Sequence, residues 1–118
     1  MSYDKNNVFA KILRGEIPCK KVYENDHVLA FHDVNPQKKV HVLVIPKGEY
    51  IDLDDFNSKA SDNEIIAFHK AITHVSHLMD AKEKGYRALT NIGRDGGQEV
   101  PHLHFHIFAG ENIGKMVN

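Results

Sequence analysis

Near its C-terminal end the chain reads His102-Leu103-His104-Phe105-His106-Ile107, so that histidine alternates with apolar residues. Side chains of a β-strand point to opposite faces in turn, so the alternation predicts a strand from Val100 to Ala109 with three imidazoles on one face. Neighbouring side chains on one face lie roughly 6 to 7 Å apart, which lets several rings converge on a metal ion or a phosphoryl group. The alternative is a solvent-exposed polar face that happens to use histidine. Histidine at all three polar positions favours a functional site.

The remaining segments predict a small α+β domain. Four of them have the composition of strands: Lys21 to Glu24, His27 to His32, Val40 to Ile45 and Tyr86 to Asn91. Two have the apolar spacing of helices: Asn6 or Asn7 to Arg14, and about residue 62 to 82. Ser61 and Glu64 have the capping-box spacing at the start of the longer helix, whose apolar stripe should pack on the sheet. Because the strands mostly follow one another as in hairpins, we predict an antiparallel sheet rather than a doubly wound parallel one.

Composition narrows the class of protein. The 118 residues are enough for one domain, spanning residues 1–118, with a single core. Lys+Arg 15 against Asp+Glu 16 gives a formal net charge of -1, so no overall charge attracts nucleic acid or a membrane surface. A single cysteine forms no intramolecular disulfide, and no apolar run reaches the roughly 20 residues of a membrane helix. We therefore expect a cytoplasmic protein.

Two kinds of ligand suit a face of histidines. A metal ion would need further ligands, which His41 or Asp33 could supply. A phosphoryl group would need a neutral imidazole as nucleophile and backbone N–H groups for its oxygens. The glycine-rich loop Gly93 to Gly97 lies immediately before the histidines and favours the phosphoryl site. A histidine-ligated metalloprotein remains the alternative.

The alternating histidines resemble the signature of the histidine triad (HIT) family of nucleotide-binding hydrolases. The short length and the Gly-Gly-Gln before the triad look like the Hint branch rather than the longer Fhit-like dinucleoside hydrolases. The resemblance implies a five-stranded antiparallel sheet with one long and one short helix, extended into a larger sheet across a homodimer. The segments that carry it are Phe9–Ile12, Gly15–Pro18, Leu29–Asp33, Pro36, His41–Lys47, Gly85–Arg87 and Asn91 through Gly110.

The resemblance also implies a role for each histidine. His104 matches the nucleophile that attacks the α-phosphorus of a nucleotide and is transiently nucleotidylated, a reaction suited to a neutral imidazole near pH 7. His106 is expected to hold the phosphate, and His102 to fix the tautomer and orientation of its neighbours. His41 matches an upstream histidine that completes the cluster.

Further positions match nucleotide contacts of the family. Asp33 matches an acid that grips the ribose hydroxyls, since a carboxylate accepts two O–H donors. Gln98 and the Gly97 amide match phosphate contacts. The remaining substrate contacts implied by the resemblance are Phe9, Ile12, Ile17, Phe31 and Val34 around the base with His32 beside them, together with Asn91 and Val100.

The sequence departs from the family pattern at Glu99, where many Hint-branch proteins have Ser or Thr. Glu99 is a candidate catalytic residue, since a protonated carboxyl could supply the acid for the leaving group. Because a charge beside a phosphate site is costly, however, we expect Glu99 to turn to solvent or to a basic partner such as Arg94. The cysteines that bind zinc in some relatives are absent here, and Asn6 and Phe9 occupy that region. No metal or cofactor is therefore expected.

The resemblance predicts hydrolysis of the P–N bond of purine nucleoside 5'-phosphoramidates, with adenosine preferred, releasing AMP and an amine. The expected partners are a purine nucleotide, such as AMP or an AMP–amine conjugate, and a second copy of the chain. Two alternatives are a purine-nucleotide-binding regulatory module with little turnover and a dinucleoside polyphosphate hydrolase.

Overall fold

The computed structural model describes residues 2–117 and contains one antiparallel sheet packed with helices. Met1 and Asn118, the ends of the predicted domain, lie outside those residues. All neighbouring strands are antiparallel, in the order β1-β2-β3-β5-β4, so the predicted α+β fold and five-stranded sheet are confirmed. The elements in chain order are α1 (Val8–Leu13), β1 (Lys21–Glu24), β2 (Val28–His32), β3 (Val40–Pro46), α2 (Leu53–Lys59), α3 (Asp62–Leu78), β4 (Arg87–Leu89) and β5 (Phe105–Ala109).

Two expected elements are shorter than the sequence predicted: α3 ends at Leu78 rather than near residue 82, and β4 spans Arg87–Leu89 rather than Tyr86 to Asn91. Two further elements, α2 and β5, differ more. Helix α2 was not predicted; Asp52 caps it, and Phe56 is its one buried residue, which is too little for a periodic apolar pattern. The last strand was predicted to start at Val100, but β5 starts only at Phe105. The chain turns before it, since the His102 N–H donates to the Val100 carbonyl at 2.9 Å.

Helix α3 covers one face of the sheet. The predicted capping box of Ser61 and Glu64 is present at its start. Its apolar stripe packs on the central strands, as the sequence predicted, because every second residue of those strands points towards it. The main partners in this cluster are Phe68, Ile72 and Val75 of α3 with Val28, Ala30, Val42 and Val44 of the sheet.

The opposite face is only partly covered. Leu43 and Ile45 of β3 point to it and pack under Phe9 of α1. Since α1 has six residues, it leaves the end of this face near His41 open. The register pairs His41 with Phe108 and places these two side chains on the same open face. In residues 2–117, no helix has the length and apolar character needed to cross a membrane.

Candidate active site

The open end of the sheet forms a cleft of about 480 Å³ that contains most of the predicted site. A larger groove of about 740 Å³ lies near the C-terminal segment but is lined by no histidine. Chemistry rather than size therefore identifies the candidate site. The residues lining the cleft are Phe9, Asp33, Asn35, Gln37, His41, Leu43, Asn91, Gly97, Glu99, Val100, His104, His106 and Phe108.

His104 is held as a neutral, oriented imidazole. Its Nδ1 lies 2.7 Å from the carbonyl oxygen of His102. A carbonyl only accepts, so Nδ1 carries the proton and Nε2 keeps its lone pair. Burial lowers the pKa of His104, against the smaller opposing effects of the His102 carbonyl and of the charges on Asp33 and Glu99. The ring is thus suited to act as a nucleophile through Nε2.

His41 and His106 form a second pair with defined tautomers. The backbone N–H of Gln37 donates to Nδ1 of His41 at 3.1 Å, so the neutral His41 carries its proton on Nε2. That nitrogen lies 2.9 Å from Nδ1 of His106 and donates to it. His106 therefore carries its own proton on Nε2, where it can donate to a phosphate oxygen. Burial, with smaller effects from His104 and His41, lowers the pKa of His106 to about 4.

His102 does not line the cleft, unlike His104 and His106. It lies before β5 and is fully buried, with Nε2 2.8 Å from the Pro46 carbonyl and Nδ1 hydrogen-bonded to the Tyr3 hydroxyl. His102 and His104 both precede β5, so of the three histidines only His106 lies on the strand itself, but the rings of His102 and His104 both meet Phe9 on the α1 side of the sheet. Burial lowers the pKa of His102 to about 4. The residue reaches the site through its carbonyl, which accepts from His104.

Asp33 lies beside the His41–His106 pair. Its Oδ1 accepts the Asn35 N–H at 2.8 Å, and its Oδ2 lies 3.4 Å from Nε2 of His41. Asp33, His41 and His106 bring one carboxylate and two imidazoles within 4.8 Å of one another, a set that divalent metals bind in other proteins. However, the Gln37 N–H occupies the Nδ1 lone pair of His41 and keeps a proton on Nε2. The set therefore fits a proton-sharing network better than a metal shell.

The groups that were expected to contact phosphate instead form hydrogen bonds within the glycine-rich loop and to the chain beside it. The Gly97 N–H donates to the Arg94 carbonyl at 3.1 Å. The Gln98 side chain donates to the carbonyls of Ile51 and Val100 at 2.7 and 3.0 Å, and it accepts the Gly93 N–H at 3.1 Å. These groups already have protein partners, so the structure places them as supports of the loop.

The other predicted residues divide between the cleft and its surroundings. Phe9, Asn91 and Val100 line the cleft, whereas Phe31 is buried beneath Phe9. Ile12 and Ile17 line a separate groove of about 470 Å³. His32 and Val34 line another groove, which shares Asp33 and His41 with the cleft. His32 pairs with Val42 in the register and so lies on the α3 side, away from His41.

Glu99 is exposed and lines the cleft. The pairing with Arg94 that we considered from the sequence does not form, because Arg94 contacts Asp95, with Nε 3.5 Å from Oδ1. The carboxylate is thus free to face solvent at the mouth of the site.

Sequence reasoning missed four residues of the cleft, namely Asn35, Gln37, Leu43 and Phe108. Gln37 acts through its backbone, for which a sequence carries no signal. Phe108 could have been found, because it continues the alternation of His104 and His106 in the sequence. Its ring is parallel to that of His106, at an interplanar angle of 5° and a centroid distance of 5.7 Å.

Comparison with known proteins agrees with this fold. Residues 14–113 match the HIT domain family, and the chain belongs to that family. An uncharacterized 13.2 kDa HIT-like protein of Azospirillum brasilense is 58% identical over 116 residues, covering 98% of this chain and 95% of that protein. An uncharacterized HIT-like protein of Helicobacter pylori strain 26695 is 50% identical over 106 residues, covering 89% of this chain and 97% of that protein.

Solved structures give the same result. A HIT family hydrolase from Clostridium thermocellum has a TM-score of 0.88 at 38% identity, covering 98% of this chain and 99% of that one. A histidine triad protein from Clostridium difficile has a TM-score of 0.83 at 42% identity, covering 98% of both chains. The resemblance drawn from the sequence is therefore confirmed at the level of the family.

Proposed function

We propose that the protein is a nucleotide hydrolase that cleaves the P–N bond of purine nucleoside 5'-phosphoramidates, with adenosine preferred. The observation that carries the proposal is the hydrogen bond from Nδ1 of His104 to the His102 carbonyl, which leaves Nε2 unprotonated in a buried neutral ring. Membership of the HIT family, and a HIT family hydrolase among the structural relatives, support hydrolysis in general. The phosphoramidate class rests on the resemblance to the Hint branch.

The reaction proceeds in two displacements. Nε2 of His104 attacks the α-phosphorus, the P–N bond breaks, and the departing amine takes up a proton at the open mouth of the cleft. Water then attacks the phosphorus of the nucleotidyl-His104 intermediate and gives up a proton to solvent at the mouth of the cleft; the P–Nε2 bond breaks, AMP is released and the lone pair returns to Nε2. His106 donates from Nε2 to a phosphate oxygen in both steps, and its hydrogen bond from His41 keeps it in the donating tautomer.

Asp33 binds the ribose in this proposal. Its Oδ1 accepts the Asn35 N–H, and its Oδ2, 3.4 Å from Nε2 of His41, has a further lone pair with which to accept a hydroxyl. The pocket for the base is then the apolar side of the cleft at Phe9 and Val100.

The direct test measures AMP release from adenosine 5'-phosphoramidate, with diadenosine polyphosphates as competing substrates and AMP binding measured in parallel. The proposal predicts AMP and amine in equal amounts, with slower cleavage of the diadenosine compounds. AMP binding without turnover of any substrate would instead support a regulatory nucleotide-binding module. Exposed Glu99 at the cleft favours that second candidate, because its charge repels phosphate.

We also propose that two copies associate edge to edge. Strands β1 and β4 end the sheet, and within residues 2–117 the outer edge of each pairs with no other strand. An unpaired edge can accept a strand from a second copy and so extend the sheet. Light scattering should give twice the chain mass of 13.4 kDa, and a mass of one chain at micromolar concentration would contradict the dimer.

A further inference from the structure

The segment before α1 lies against the buried side of the histidine cluster. Asn7 determines the path of this segment through two side-chain hydrogen bonds. Its Oδ1 accepts the Ala10 N–H at 2.9 Å and so caps α1, and its Nδ2 donates to the Asp4 carbonyl at 2.7 Å. The Asn7 N–H donates to the same carbonyl at 3.2 Å. This turn from Asp4 to Asn7 places Tyr3 over His102.

Tyr3 and His102 contact each other through both a hydrogen bond and their rings. The rings meet edge to face with centroids 5.6 Å apart. Nε2 of His102 donates to the Pro46 carbonyl, so its Nδ1 has no proton and must accept. The Tyr3 hydroxyl is therefore the donor in this bond. The two bonds hold the buried His102 ring at both nitrogens.

The backbone of His102 connects this fixed ring to His104, the proposed nucleophile. The His102 carbonyl accepts Nδ1–H of His104, and the His102 N–H donates to Val100. If the ring of His102 rotates, its backbone and carbonyl can shift, and a shift of that carbonyl turns the His104 ring. Histidine rings in active sites depend on such outer partners for their tautomer and orientation.

We propose that Tyr3 is a positioning residue, whose hydroxyl locks the His102 ring and thereby holds His104 in its attacking orientation. Tyr3 does not line the cleft. The inference rests on the proposed function, because it assigns Tyr3 to the nucleophile of that reaction. A packing role would require only the ring, which Phe would supply equally well.

The test compares Tyr3→Phe with Tyr23→Phe in the full chain. Tyr23 is the matched control, because its hydroxyl accepts from the Asn25 side chain at 3.1 Å on β1, outside the cleft. For Tyr3→Phe we expect kcat to fall about tenfold, the size of one lost hydrogen bond, while KM and the Kd for AMP change less than about twofold. The control should keep all three values. Unfolding by urea is measured for both variants.

A second measurement is independent of turnover. NMR of protein labelled with ¹⁵N in histidine reports which nitrogen of each ring is protonated. The unchanged protein should show His104 protonated at Nδ1, and Tyr3→Phe should show a mixture of tautomers or a broadened signal.

The outcomes separate the two proposals. A Tyr3→Phe variant that loses stability but keeps kcat and the His104 tautomer would overturn the positioning role. An unchanged protein without turnover would overturn the proposed function, while the tautomer measurement would still decide whether Tyr3 controls His104.

Discussion

Each histidine of the cluster has a different set of hydrogen-bond partners, and those partners determine what its ring can do. His104 donates to a carbonyl and keeps a free Nε2. His41 accepts from the Gln37 amide and donates to His106, which then has a proton to offer. His102 is held at both nitrogens and is left with a supporting role. Four identical side chains thus offer different donors and acceptors, because backbone and side-chain partners set the position of each proton.

The role of Asp33 is tested by Asp33→Asn. An Asn oxygen can still accept the Asn35 N–H, so the local turn is kept while the charge is removed. We expect AMP binding to weaken by roughly 1.5 to 3 kcal/mol, because hydrogen bonds to a charged acceptor are lost. Calorimetric titration with AMP and its deoxy analogues measures this. The deoxy analogues should lose less affinity, and equal losses would show that Asp33 acts on structure alone.

Glu99 gives a second prediction at the residue scale. Its exposed carboxylate repels an incoming phosphate and lacks the predicted Arg94 partner, so Glu99→Ser should raise phosphoramidase activity by at most about a hundredfold. Glu99→Gln is the matched control, because it removes the charge and keeps the size. Steady-state kinetics across pH should show a little-changed profile. Loss of activity in both variants, with loss of the high-pH limb, would make Glu99 the general acid.

At the scale of elements, the sequence predicted those parts of the fold that depend on local pattern. The apolar run of β3 was recognised because that strand is buried on both faces, and α3 because its cap and stripe are strong signals. The start of β5 could not be predicted, because the chain before it is fixed by distant groups. The Leu103 N–H donates to the Tyr50 carbonyl at 2.8 Å, and Gln98 is held by Ile51.

The anchoring of the glycine-rich loop by Gln98 is the prediction at this scale. Gln98→Ala removes three hydrogen bonds that tie the loop to its neighbours, so we expect a loss of unfolding free energy of about 1 to 3 kcal/mol. Hydrogen exchange should accelerate at the Gly93 and Gly97 amides and not in α3. Unchanged exchange in the loop, together with weaker AMP binding, would assign Gln98 to the phosphate after all.

Folding of the whole molecule buries the imidazoles of His41, His102, His104 and His106, and this burial lowers their pKa values and favours the neutral rings. Residues on the α3 side form a continuous apolar core, while the opposite face carries its histidines in or beside a second, smaller core. The sequence predicted this division between an apolar face and a functional face from alternation along the strands. Excluding water from the histidines makes the folded state sensitive to acid.

The expected acid sensitivity follows from His102. Its folded pKa of about 4 lies below the ordinary value of 6.5, so the unfolded chain binds more protons between these pH values. The contribution of the neutral His102 to the free energy of unfolding is therefore fully present above pH 6.5. It is lost as pH falls towards 4, and the loss reaches about 3 kcal/mol for this buried group. Urea unfolding from pH 7.5 to 4.5 measures the slope, and His102→Gln should flatten it. Stability that rises on acidification would contradict this account.

His104 is the proposed nucleophile, and trapping its covalent intermediate tests that role. The unchanged protein and His104→Ala are mixed with adenosine 5'-phosphoramidate, quenched in alkali within one turnover, digested and examined by mass spectrometry. We predict one AMP moiety on His104 in the unchanged protein. His104→Ala should show no adduct and no turnover, with AMP binding within about tenfold, since only the bond-making group is removed. An adduct on another residue, or steady-state turnover by His104→Ala, would contradict the account.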